Sequence, residues 1–279
     1  MRTRMVRVRR RPKGMIWAVA FLALSMALYI RVSVPALRDM QAEADDAPEK
    51  GERVTREITI GGLEIHLVSF GGYELRNEAK VEAARYVSRG AAGYVLDSDR
   101  LYVIGAGYEE REAAEKVCVQ LMASEGMSCA VVSLNAAPVS MRMTAGSEQI
   151  EAFLAAEELL RDTAIALGHL AVSIDRGDAT AKQAAEVVRT HLTKTEAAQN
   201  RLDALQGGTK QPLFEQISEL LGDMAGQMEE MLKETKAMAL SSRLKYCHVD
   251  IMVREIELMN GLGQKKGLQI GGNWHTMYI

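Results

Sequence analysis

Few residues in this chain have the types and spacing that chemistry needs. The five histidines, His66, His169, His191, His248 and His275, show no ligand spacing such as H-x-x-x-H, so no metal site is expected. His248 and Asp250 lie two apart on a helical stretch and point in different directions. No G-x-S-x-G elbow or phosphate-binding loop occurs. The acidic pairs Glu157-Glu158 and Glu229-Glu230 read as solvated helix faces. No catalytic residue, no cofactor and no enzymatic activity are therefore expected. Cys118, Cys129 and Cys247 are odd in number and lack a C-x-x-C pair, and they read as small buried apolar residues. What does recur is aromatic. Gly72-Tyr73-Glu74-Leu75-Arg76 returns as Gly107-Tyr108-Glu109-Glu110-Arg111. Tyr73 and Tyr108 either stack on a ligand such as a sugar ring, or pack on a first helical turn with the hydroxyl in water.

A repeat at a fixed offset points to a duplicated supersecondary unit. Leu63–Phe70, Ala91–Leu96, Leu101–Ala106 and Met127–Leu134 read as strands, and Glu74–Ser88 and Glu109–Glu125 as helices closed by Gly90 and Gly126. The order is β-α-β-β-α-β, an α+β fold with a four-stranded antiparallel sheet and both helices on one face. Alternation puts Ile65, Leu67, Tyr102 and Ile104 on one face, taken as the one under the helices. His66, Val68, Phe70, Leu101 and Val103 then lie on an uncovered face, the usual setting of a binding surface.

The remaining chain frames this domain. Hydrophobic residues make up 48% of the 279 and aromatics only 5%, a balance that favours helices. Seven of the 34 basic side chains lie within residues 1–13, leaving 27 against 37 acidic ones, so a nucleic-acid partner is not expected. Residues 1–14 read as a cytoplasmic basic tail and 15–34 as a single transmembrane helix, with Trp17 and Tyr29 near its ends. The basic flank places the N-terminus in the cytoplasm and the bulk outside the cell membrane. A signal peptide cleaved near Ala42-Glu43-Ala44 is the alternative. Residues 35–60 are a charged linker, 61–136 the α+β domain, 145–260 a helical bundle or coiled coil, and 261–279 a disordered tail. Ile150, Phe153, Leu160, Ala164, Leu167, Ala171 and Ile174 form one stripe of the bundle. Met224, Met228, Met231 and Met238 form another, as core filler or as an adaptable partner face.

Residues 63–134, about a quarter of the chain, resemble the SPOR domain family of bacterial envelope proteins. The resemblance rests on Ile65-His66-Leu67-Val68-Ser69-Phe70 with Ala79, and on Tyr102-Val103-Ile104-Gly105 leading to Tyr108-Glu109-Glu110-Arg111-Glu112-Ala113. The family's first-strand Gln falls on His66 and its Gly on Val68, while its Gly-Pro-Phe reads Gly105-Ala106-Gly107. The resemblance implies binding to peptidoglycan glycan strands through the sheet, in cell division or sporulation. His66, Phe70 and Tyr94, with Tyr73 and Tyr108 at the edge, are the expected glycan-binding residues. The helices would form a homo-oligomer or dock other envelope proteins. Two readings stay open: an envelope adaptor that works through its C-terminal helices, and a small-ligand sensor on the same scaffold.

Overall fold

The structure is a computed structural model and describes residues 53–206, 211–264 and 277–278. Its centre is a sheet of β2 (Leu63–Tyr73), β3 (Tyr94–Asp97), β4 (Leu101–Tyr108) and β5 (Ala130–Ala136), in the order β3-β4-β2-β5 and antiparallel throughout. The two-residue β7 (Met277–Tyr278) adds to the β5 edge. Helices α1 (Arg76–Val87) and α2 (Arg111–Glu125) lie on one face. Four longer helices follow: α3 (Ser147–Arg176), α4 (Ala181–Gln206), α5 (Pro212–Met231) and α6 (Ala237–Gln264).

The expected fold is corrected on two counts. The first concerns the membrane. Among the described residues no helix is long and apolar enough to cross one, so the transmembrane helix is not supported, and residues 15–34 lie outside the described region. The second concerns the sheet, which has no uncovered face. Val68, Leu101 and Val103 pack under α1 and α2. Ile65, Leu67, Tyr102 and Ile104 face the other way and share one core with α3, α5 and α6. The two faces were thus assigned the wrong way round. The physical reason is in the strands, whose two faces are equally apolar: Ile65, Leu67, Val68, Val103 and Ile104 are all within 1% of full burial.

Two strands lie where no strand is expected. β1 (Arg53–Ile60), inside the supposed linker, pairs antiparallel with β6 (Val139–Gly146) over eight residues. Ile58, Ile60, Met143 and Ala145 are buried against the core, while Thr55 and Thr144 join hydroxyls across the outer face at 2.8 Å. Such alternation is the signature of a half-buried ribbon. At the other end, α6 runs through Gly261 to Gln264, inside the segment expected as a disordered tail.

Helix α6 meets the sheet through a side chain with an unusual slot. The His248 ring lies between Gly107 of β4 and Gly168 of α3, where a Cβ would stand 3.2 Å and 2.9 Å from it. Its Nδ1–H donates to the Ala164 carbonyl at 2.8 Å. Burial lowers its pKa, so the ring is neutral.

Nearby, Glu157 is no solvated residue. It and Glu255 of α6 both contact Arg161, with Glu255 Oε1 at 2.7 Å from Nη2 and 3.0 Å from Nε. Glu255 is 1% exposed, and among the described residues its Oε2 finds no hydrogen-bond partner. Burial raises both carboxyls, Glu255 to about 7, outweighing the pull of the Arg161 guanidinium.

Two predictions follow from this packing. Ala normally replaces a helical Gly with a gain of up to about 1 kcal/mol. At Gly226 of α5, where a Cβ meets nothing within 4 Å, Gly226→Ala should stabilise by roughly that amount. At Gly168 the Cβ strikes the His248 ring, so Gly168→Ala should instead destabilise by about 1–3 kcal/mol. Urea denaturation of both variants measures the contrast. The second concerns pH. A carboxyl raised above its ordinary 4.5 favours the fold while protonated, and loses that contribution as pH rises through about 7. The stability of the wild type relative to Glu255→Gln should therefore fall between about pH 4.5 and 7 and level off above. His248 works in the opposite sense, losing stability as pH drops below 6.5, and cancels in this comparison.

Candidate ligand cleft between the first two helices

Helices α1 and α2 rest on the sheet through small residues. Ala79 and Ala83 pack with Leu101 and Val103, and Ala114 with Val68 and Val131. The two clusters share only Phe70, and a cleft of about 440 Å³ remains between the helices. That volume suits a small ligand.

Two irregularities in the strands build the floor. The β2–β4 register slips between Val68 and Ser69, where Val68 pairs with Ala106 but Ser69 with Ile104, and again between Ser69 and Gly72. Bulges of this kind re-aim side chains. Here they put Val68, Phe70, Gly105 and Ala106 on the cleft side together. The Phe70 ring then stacks on Tyr86 of α1, with centroids 4.3 Å apart and planes at 29°. Gly105 is required for this placement, because a Cβ there would stand 2.4 Å from the ring.

Tyr108 and the α2 residues Val117 and Leu121 form the facing wall. Burial pushes the Tyr108 phenol up to about 12, so it stays protonated and able to donate. Charged groups mark the rim. Arg89 pairs with Glu125 at 3.3 Å, linking the C-terminal ends of α1 and α2, and also contacts Met127 Sδ at 3.1 Å. Lys245 of α6 pairs with Asp175 at 2.6 Å and donates to the Gly90 carbonyl at 2.7 Å. The exposed Arg89–Glu125 pair adds under about 1 kcal/mol of stability, so it defines the rim more than it holds it.

Of the five residues expected to bind, only Phe70 and Tyr108 line this cleft. His66 is buried, with Nδ1 at 2.8 Å from the Ser133 hydroxyl and Nε2 at 3.6 Å from Glu64. Tyr73 is half-buried in the α1 cluster. Tyr94 lies on the opposite face, tilted against Tyr246 of α6 at 5.6 Å. Tyr86 and Gly105 were missed. The spacing of Tyr86 after Ala79 and Ala83 is the one signal that could have placed it on the buried side of α1.

The charged groups of the cleft, Arg89 with Glu125 and Lys245 with Asp175, engage each other as ion pairs, and among the described residues no cluster of His, Cys, Asp and Glu could hold a metal ion. What the site offers is an apolar floor, aromatic walls and a charged rim. Comparison with protein-family models, with curated proteins and with solved structures finds no match to this chain.

The Phe70 placement is open to test. Gly105→Val should expel the ring from its stack on Tyr86 and lower the unfolding free energy by about 1–3 kcal/mol, as urea denaturation would show.

Proposed function

We propose that this chain is a non-enzymatic binding protein of the bacterial cell envelope, and that the α1–α2 cleft receives a saccharide ring of peptidoglycan glycan. One observation carries the reading: Phe70, Tyr86 and Tyr108 converge on a single cleft beside an apolar floor. Aromatic rings set around a shallow apolar floor are suited to the C–H faces of sugars, and the rim cations and carboxylates to their hydroxyl groups. The resemblance of residues 63–134 to SPOR domains supports the same ligand class. It also requires a change of surface. The face opposite α1 and α2 is occupied by α6, so glycan would enter on the helix side.

The experiment is co-sedimentation of the full chain with purified sacculi, before and after amidase removal of the stem peptides. The wild type should co-sediment, more strongly with stripped glycan. Ala106→Leu fills the floor of the cleft and should weaken binding by about tenfold, a loss of about 1.4 kcal/mol. Failure of the wild type to sediment with either preparation would remove the glycan reading. Equal binding by Ala106→Leu would place the binding surface elsewhere on the molecule.

A further inference from the structure

The three cysteines are not equivalent. Cys247 is fully buried in the core around α6. Cys118 of α2 and Cys129, which directly precedes β5, lie together in the small cluster with Val68, Ala114 and Val131. Both are buried there, close enough for each thiol to shift the other's titration. The chain is folded back to make this meeting. Gly126, at φ 66°, ends α2 in the left-handed region, and the Met127 N–H returns to the Leu121 carbonyl. Cys129 also contacts the Met127 carbonyl at 3.8 Å.

We propose that Cys118 and Cys129 are a disulfide-forming pair that covalently closes the turn between α2 and β5. Two thiols brought into one five-residue buried cluster by a turn and a packed helix need little backbone movement to join, which is the usual obstacle to a bridge. The oxidant is a low-molecular-weight disulfide such as oxidised glutathione. The Cys129 thiolate attacks it, forming a mixed disulfide and releasing one glutathione thiolate. The Cys118 thiolate then attacks the Cys129 sulfur, forming the protein S–S bond and releasing the second. Two protein thiols are oxidised and one glutathione disulfide is reduced to two thiols, which take up the two protons. Burial raises the Cys118 thiol to about 12 and Cys129 also upward, so exchange is slow at neutral pH and faster in mild alkali. This makes a structural bond rather than a reactive one. It would pin the α2 wall of the cleft, where Val117 and Leu121 sit, whatever the cleft binds.

The test uses the full chain, reduced and then incubated with oxidised glutathione at mildly alkaline pH. The intact mass should fall by two hydrogens. Cleavage after Glu125 should give peptides on either side that stay joined until reduced. After unfolding, only Cys247 should take an alkylating reagent. The oxidised protein should melt roughly 5–10 °C above the reduced one. Cys129→Ser should abolish the mass loss and leave two alkylatable thiols. Three free thiols after incubation, stable glutathione adducts on Cys118 or Cys129, a bridge involving Cys247, or a bridge that lowers the melting temperature would each overturn the assignment.

Discussion

Everything in this molecule depends on the burial of both faces of one small sheet. A four-stranded sheet with two short helices leaves one apolar face in water, and Ile65, Leu67, Tyr102 and Ile104 are the side chains at stake. Helix α6 removes them from solvent. Each fully buried aliphatic side chain is worth about 1.5–3 kcal/mol, so these positions contribute a large part of what holds the helical layer to the sheet. The contact is also specific. The slot made by Gly107 and Gly168 admits the imidazole ring, and the Ala164 carbonyl accepts its N–H, which favours this register of α6.

This arrangement has a polar cost elsewhere. Arg161 carries two carboxylates in a nearly dry setting, and among the described residues one oxygen of Glu255 finds no partner. An ion group of this kind is weak support for stability, since desolvation consumes most of the attraction. It contributes direction instead: α3 and α6 are tied at a second point beside the His248 slot, so sliding one helix along the other would separate charges.

Some of this was legible in the residues and some was not. Gly126 announced the end of α2, and it adopts the left-handed backbone that role requires. The α3 stripe from Ile150 to Ile174 is buried at every position named for it. Strand alternation could not say which face of β2 met which helices, because Leu67 and Val68 are equally apolar and equally buried. β1 was hidden by Arg53, Arg56 and Glu57, whose charges mask the alternation of Val54, Ile58 and Ile60. Glu157 looked solvated because its partner Glu255 arrives from a helix far along the chain. Phe70 and Tyr108 were expected on and beside an uncovered sheet face, whereas they line a cleft on the helix side, whose shape follows two register slips that no side-chain pattern encodes. Tyr94 was misplaced for the same reason as the sheet faces.

The ribbon of β1 and β6 has a mechanical meaning. Arg53, where β1 begins, pairs with Gly146, where β6 hands over to α3. Both ends of that pair lie at the same tip of the ribbon. Tension entering at residue 53 and borne by α3 would therefore peel the strands apart one pair at a time, rather than shear all eight at once. Peeling β1 away would pay out roughly 26 Å of chain at about 3.3 Å per residue, and it would draw Ile58 and Ile60 out of the core one after the other.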